Sequence, residues 1–375
     1  MKSETSAFDL FFIVRELQKL KDAKLEKVFH TKDNKNSILF RFYSKDNGRL
    51  FLKLELPNQI YFTQHKEEYD KVSGFGMFLR RHLQSTRLIK INQNEFDRVL
   101  DLTFEIRKKG VTSINHVIIE LFGTGNLVLI NEENKILGLL YSQRWKDRQI
   151  LPGKTYIFPQ AQFNPLESDF STFVEQIKKS SKSLLVAILA SDISLGGEYA
   201  EELCARAKID KNKELNSLTD DDFKKLFDEI EKIKNEKISG IVYEKTVTPF
   251  KFLTSGEEKE NHDSFCLALD EKLTQKKNVD VRKEVESKSS SKLNKIENVL
   301  KKQNEMILKI TINADIFQKQ GEKIYENYPK LTIIINELNS LRKTNEWKEI
   351  KNIFKEKYPY VKLNEKNNEI VVDVE

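Results

Sequence analysis

Residues 37–63 read SILFRFYSKDNGRLFLKLELPNQIYFT. Three short apolar or alternating runs, Ser37–Tyr43, Arg49–Leu54 and Asn58–Thr63, are separated by Asp-Asn-Gly and by Pro-Asn. Runs of that length bounded by turn residues read as strands of a meander. Upstream, Phe8, Phe11, Phe12, Val14 and Leu17 fall on neighbouring turns of a helix expected from about Ser6 to Leu20. Downstream, a second helix at Gly74–Leu83 leads into strands at Arg87–Asn92, Val99–Arg107, His116–Leu121 and Asn126–Asn131. The last two are joined by Phe122-Gly123-Thr124-Gly125, whose glycines make a hairpin turn. A phosphate-cradling Gly-x-x-x-x-Gly-Lys-Ser/Thr loop is found nowhere in the chain. Segregated strands and helices of this kind predict an α+β fold.

The pattern turns helical from Asp169 to Ile233, where Leu184, Leu185, Ile188 and Leu189 precede Leu195-Gly196-Gly197 and Tyr199, Leu203 and Cys204 follow it. Two helices meeting at Gly196-Gly197 form either an ordinary helical corner or a helix-hairpin-helix whose second N-terminus holds a phosphate. Residues 241–274 are mixed, with Val242 and Phe250–Leu253 strand-like and Phe265–Leu273 helical, and Ser287–Ser291 reads as a polar joining segment. Beyond it Leu293, Ile296, Leu300, Ile307, Ile310, Ala314, Phe317, Ile324, Tyr328, Leu331, Ile335 and Leu338 advance by alternating steps of three and four, with Gln303 and Gly321 the weak positions. That is a heptad seam, divided near Asn327 by Pro329. A helix from about Val285 to Asn327 would reach roughly 65 Å at 1.5 Å per residue, and one seam needs a partner helix, from a second copy in a homodimer or from further sequence of a longer protein. Ile370–Val372 reads as a short strand. The expected segments are 1–175, 176–240, 241–284 and 285–375.

The 64 Lys and Arg exceed the 58 Asp and Glu by six, in a chain that is 33% charged. That suits an anionic partner and equally a densely charged solvated surface. Cys204 and Cys266 stand alone, without Cys-x-x-Cys, so neither a disulfide framework nor a zinc site is expected. Phe8–Val14 is interrupted by Asp9 and followed by Arg15 and Glu16, which reads as an amphipathic helix and not as a signal peptide or membrane span. A cytoplasmic protein without membrane attachment, resident metal or cofactor is the expectation.

Several separated motifs resemble the NFACT family, which includes the bacterial RqcH and eukaryotic NEMF factors of ribosome-associated quality control. They are Ala7-Phe8-Asp9-Leu10 with Val14-Arg15-Glu16-Leu17, Phe78-Leu79-Arg80-Arg81-His82-Leu83, Phe96-Asp97-Arg98-Val99, Gly125-Asn126-Leu127-Val128-Leu129, and Arg144-Trp145 with Pro152-Gly153-Lys154-Thr155-Tyr156. Further on, Gly196-Gly197-Glu198-Tyr199-Ala200, Ala268-Leu269-Asp270-Glu271 and Gly321-Glu322-Lys323-Ile324-Tyr325 are similar to the family's later regions. A returning coiled-coil helix and a C-terminal NFACT-R domain would normally follow and are not in this sequence.

The resemblance implies an N-terminal NFACT-N domain, a helix-hairpin-helix domain and a coiled-coil arm with a small middle region. It implies binding to a large ribosomal subunit obstructed by peptidyl-tRNA, through rRNA, and recruitment of tRNA, alanine tRNA being expected, for template-free extension of the stalled nascent chain. The ribosome would make the peptide bond, so no catalytic residues are expected. The family's tRNA-handling residues correspond to Asp9, Asp97 and Arg98. Arg98 can fork donors onto a phosphate or base edge, and Asp97 can orient that guanidinium or accept from a base or ribose, while a plain salt bridge is the structural alternative. Asp9 sits near a helix start, where a carboxylate also stabilises the dipole. Arg80, Arg81, His82 and Arg87 make a basic cluster suited to phosphates or to a solvated face, and Gly196 and Gly197 offer backbone N–H groups. The enzyme alternative, a DNA-repair glycosylase, wants a proline and a glutamate after the initiator, whereas the chain starts Met1-Lys2-Ser3-Glu4. A matrix-binding adhesin would need an export signal, which Phe8–Val14 does not supply.

Overall fold

The computed structural model describes residues 4–65, 72–108, 110–145, 148–364 and 369–373, apart from the side chains of 277–278 and 280–288. The chain forms two compact units, Met1–Val279 and Asp280–Glu375. The first is built on one antiparallel sheet. Its strands are β1 (Lys24–His30), β2 (Ser37–Ser44), β3 (Gly48–Glu55), β4 (Gln59–Thr63), β5 (Arg87–Gln93), β6 (Val99–Lys108), β7 (Val111–Glu120), β8 (Asn126–Asn131) and β9 (Ile136–Leu139). Their order is β4-β3-β2-β1-β5-β6-β7-β8-β9. Two meanders thus meet at β1 and β5, where Lys24 lies opposite Arg87 and main-chain bonds from Leu25 N to Thr86 O and from Leu88 N to Ala23 O flank the pair. Helix α1 (Ala7–Leu17) precedes β1, and α2 (Gly74–Leu83) links β4 to β5.

The meander expected from 37–63 is present with its turns. The strand Lys24–His30 between α1 and β2 escapes a period-two reading because a bulge between Leu25 and Lys27 shifts its register. Leu25 and Val28 are therefore both buried although three residues apart. The same happens in β5, where a bulge puts Leu88 and Ile91 on the core side. At the β7–β8 hairpin Gly125 has φ +71°, and a Cβ there would lie 2.8 Å from Leu56 Cβ, so glycine is required twice over.

After a short hairpin, β10 (Gln143–Arg144) with β11 (Gln149–Ile150), come four helices: α3 (Phe170–Lys178), α4 (Leu185–Ser191), α5 (Gly197–Ala207) and α6 (Asp220–Lys234). Asp169 caps α3, and Thr219 with Asp222 forms a capping box on α6. A three-stranded sheet follows, β12 (Gly240–Val242) flanked by β13 (Val247–Thr248) and β14 (Glu260–His262). Phe250–Leu253 is not a strand. The backbone N–H groups of Leu253 and Thr254 donate to the buried Glu202 carboxylate at 2.8–3.1 Å and that of Phe252 to the Tyr243 hydroxyl at 2.9 Å, so side chains have taken the donors a ladder would use. Segments 1–175, 176–240 and 241–284 all contribute to one continuous core, from Phe8 and Phe12 of α1 through Leu203 and Phe223 to Phe250 and Phe265.

Helix α7 runs from Phe265 to Glu326, so Ser287–Ser291 is helical and not a joining segment; the side chains of 287 and 288 lie outside the described residues. The stretch has one glycine, Gly321, and no proline. Serine lowers helix propensity only modestly, by about 0.5 kcal/mol relative to alanine, and does not end a helix by itself. In the second unit, α8 (Tyr328–Leu341) starts where Pro329 predicts a break. With α9 (Trp347–Lys357) and the hairpin β15 (Val361–Asn364)–β16 (Glu369–Val372) it closes a small core of Ile334, Leu338, Ile350, Phe354 and Val361. Of the seam positions in α8, Leu338 is buried in this core and Leu331 half-buried, while Ile335 is exposed and its neighbour Ile334 is buried instead.

Candidate nucleic-acid interface

Arg98 immediately precedes β6, in the bend it shares with Asp97. Its backbone N–H donates to Asp97 Oδ1 at 2.6 Å, and its guanidinium Nη1 pairs with Glu4 Oε2 at 2.9 Å. Asp97 therefore fixes the turn, and Glu4, which belongs to no motif, engages the guanidinium. Both partners of this pair are solvent-accessible, 32% and 59% exposed, so an RNA phosphate can compete with Glu4 for Arg98 at little cost. Asp97 and Arg98 line an open cleft of about 590 Å³ whose walls include Ser6, Gln162, Ser194 and Gly196. Ser6 is the N-cap of α1 and Gly196 the N-cap of α5, so two helix N-termini border the same cleft.

Gly196 adopts φ +79° and no side chain caps α5. A Cβ at Gly196 would sit 3.7 Å from Ser6 Cβ. In the same turn the hydroxyl of Ser194, a residue at φ +61°, donates to Gln162 Oε1 at 2.9 Å. The cleft thus joins the anticipated Asp97, Arg98 and Gly196 with Glu4, Ser6, Gln162 and Ser194. These four carry no motif; only the fold brings them together.

Asp9 is set back from the cleft surface. It is 2% exposed, accepts from Ser6 N and Oγ at 2.8 and 2.7 Å through Oδ2, and accepts from the Tyr199 hydroxyl at 2.8 Å through Oδ1. It closes a capping box and ties α1 to α5 behind the cleft. Burial, and then the Asp9 charge, hold the Tyr199 phenol well above its ordinary range, so it stays a donor.

The residues of the expected basic cluster sit in different surroundings. Arg80 Nε donates to Val28 O at 2.7 Å with the guanidinium over the Phe29 ring, and burial lowers its pKa. His82 Nδ1 lies 2.9 Å from Phe78 O, in the bonding pattern of its own helix, and Arg81 is exposed on α2. Arg87 lies apart from these, in a hollow with Lys21 and Lys24. Burial pushes the Cys204 thiol up to about 12 and Cys266 well above the ordinary thiol range, so neither is a thiolate near neutrality. Among the described residues, Glu260, His262 and Glu271 place one potential metal-ligand atom each within 4.8 Å of one another at the β14–α7 edge. His262 Nε2 lies 3.4 and 3.7 Å from the Glu260 and Glu271 carboxylates.

A family model described as NFACT N-terminal and middle domains matches residues 6–370. The chain belongs to the NFACT family. An archaeal Rqc2 homolog, aRqcH of Methanocaldococcus jannaschii, is 32% identical over 394 residues, covering 100% of this chain and 58% of the relative. The ribosome quality control complex subunit 2 of Saccharomyces cerevisiae is 30% identical over 141 residues, 37% of this chain and 13% of that protein. The chain thus spans little more than half the length of its archaeal NFACT relative. The N-terminal part of a fibronectin/fibrinogen-binding protein from Streptococcus suis superposes with a TM-score of 0.59 at 23% identity, over 72% of this chain and 99% of that one. That likeness is one of fold. Among the described residues no helix is long and apolar enough to cross a membrane.

Proposed function

We propose that this NFACT chain acts in ribosome-associated quality control in the cytoplasm. It docks on a large ribosomal subunit obstructed by peptidyl-tRNA and presents alanine tRNA for template-free extension of the nascent chain. The ribosome makes the peptide bond and the protein contributes binding only. The observation that carries this reading is the cleft in which Asp97 and Arg98 meet the N-caps of α1 and α5. The α4–α5 pair acts as a helix-hairpin-helix that offers backbone N–H groups to the RNA backbone. Arg98 exchanges its exposed partner Glu4 for a tRNA phosphate or base edge, an exchange favoured by the higher charge density of nucleic acid. The apolar seam of α7, with Leu293, Ile296, Leu300 and Ile307 all more than half exposed, pairs with a second helix in a coiled-coil arm.

The test is filter binding of deacylated alanine tRNA, with cosedimentation on large subunits measured alongside. Arg98→Ala is expected to weaken tRNA binding about tenfold or more, in line with about 1–3 kcal/mol for a charge-assisted contact, while subunit cosedimentation is retained. Unchanged tRNA affinity in Arg98→Ala overturns the assignment of this cleft.

A further inference from the structure

The outer face of the sheet carries a hollow of about 650 Å³ at the junction of the two meanders. Across it the register sets Tyr43 opposite Lys24, Lys24 opposite Arg87, and Arg87 opposite Glu105, one residue from each of β2, β1, β5 and β6. Lys24 is the register partner of Arg87 between β1 and β5, so two cations stand face to face at the junction of the two meanders. Like charges directly opposed across strands are destabilising, and an opposite pair there would serve the fold better.

Lys21, Lys45 and Arg107 border the same hollow, as do Asp22, Asp46 and Glu105. Glu105 is engaged by Arg107 at 3.0 Å. Among the described residues no carboxylate lies within ion-pairing distance of Lys21, Lys24, Lys45 or Arg87. Tyr43 leaves 47% of its surface exposed at the edge of this cationic ladder. Asp22 and Ser85, at φ +66° and +69°, shape the two turns that enter β1 and β5, and their N–H groups donate across the junction to Leu88 O and Leu25 O at 2.7 and 2.8 Å. The hollow is therefore held in place by main chain and does not depend on the charged side chains.

We propose that this hollow is a second RNA-binding site, in which Lys24 and Arg87 together hold a backbone phosphate of single-stranded RNA and Tyr43 stacks on a neighbouring base. A shared phosphate turns the repulsion between the two cations into attraction, and an aromatic ring beside a cationic groove is the arrangement that binds single strands without reading sequence. The concave shape favours a strand over a flat membrane surface. The site rests on the reading of the chain as an RNA-binding factor, but it is separate in residues from the Asp97–Arg98 cleft.

The experiment is fluorescence anisotropy of a labelled oligouridylate over a range of salt concentrations, using the full chain. Lys24→Glu, which creates an ion pair with Arg87, is expected to leave the melting temperature unchanged or raised. The same change lowers RNA affinity roughly tenfold and reduces the logarithmic salt slope by about 0.7 for each lost phosphate contact. Tyr43→Ala lowers affinity with the slope preserved. Parent affinity in a folded Lys24→Glu variant overturns the site, as does a parent that binds alanine tRNA through Arg98 but no oligouridylate. A parent that binds neither RNA overturns the RNA reading as a whole. Anionic phospholipid vesicles captured through Lys24, with oligouridylate affinity untouched by Lys24→Glu, would assign the hollow to lipid and overturn it too.

Discussion

Asp9 and Arg98 both lie in motifs shared with the NFACT family, yet their surroundings separate what each can do. Asp9 holds Ser6 and the buried Tyr199 hydroxyl, so Asp9→Ala removes a cap and strands a buried donor, at a cost of about 1–3 kcal/mol in urea unfolding. Adding Tyr199→Phe removes the stranded hydroxyl, and the double variant should lose less than the sum of the singles. Full stability of Asp9→Ala together with lost tRNA binding would instead make the carboxylate a direct contact. Asp222 gives a pH signature. Burial acts against its charge, but the Lys213 ammonium at 2.7 Å and the Thr219 cap outweigh it and hold the carboxyl at about 2. The unfolded value is near 3.9, so this contribution is complete above about pH 4 and disappears as pH falls towards 2. Lys213→Met should therefore be less stable than the parent at neutral pH, by roughly 0.5–1 kcal/mol for a partly exposed pair, and equal to it near pH 2. A difference that persists at pH 2 would place the effect in packing. Residue chemistry of this kind was partly legible: Asp97, Arg98 and Gly196 do line one cleft. Glu4 was not, because its role depends on the fold carrying residue 4 to residue 98.

Elements were legible wherever a period ran unbroken and were lost where tertiary contacts reset it. The bulge in β1 defeats alternation, and Glu202 turns an apolar strand-like run at 250–253 into a side-chain-bonded loop. The start of α7 shows the same long-range logic. Ser264 Oγ accepts from Leu267 N at 3.2 Å, while the buried Glu16 of α1 accepts from Ser264 Oγ, Phe265 N and Cys266 N at 2.8–3.0 Å. One carboxylate 248 residues upstream thus satisfies the first donors of a 62-residue helix. Glu16→Ala should cost about 2–3 kcal/mol and accelerate amide exchange at Phe265 and Cys266. Glu16→Gln, which keeps one acceptor oxygen, should lose less. Parent-like exchange at those two amides in Glu16→Ala would mean that the cap contributes nothing to the helix start.

For the whole molecule, the two units differ in what holds them. The first shares one apolar core among α1, the sheet face, α3–α6 and the start of α7, with more than a dozen large side chains fully buried or nearly so. Among the described residues the second has five buried apolar residues, and the α7 residues that enter it leave Leu293, Ile296, Leu300, Met306, Ile307 and Ile310 more than half exposed. Stability from burial scales with apolar area removed from water, at about 25 cal/mol per Å², and entropy must be met residue by residue in both units. Two transitions are therefore expected in urea, the second unit opening first. Phe354→Ala, which deletes a ring at the centre of the small core, should lower the first midpoint, at a cost of about 3 kcal/mol, and leave the second midpoint in place. Because the Asp97–Arg98 cleft lies wholly in the first unit, alanine tRNA binding should survive at urea concentrations between the two midpoints. A single transition seen alike by circular dichroism and by tRNA binding would show that the two units fold as one, and that the small core draws its stability from the large one.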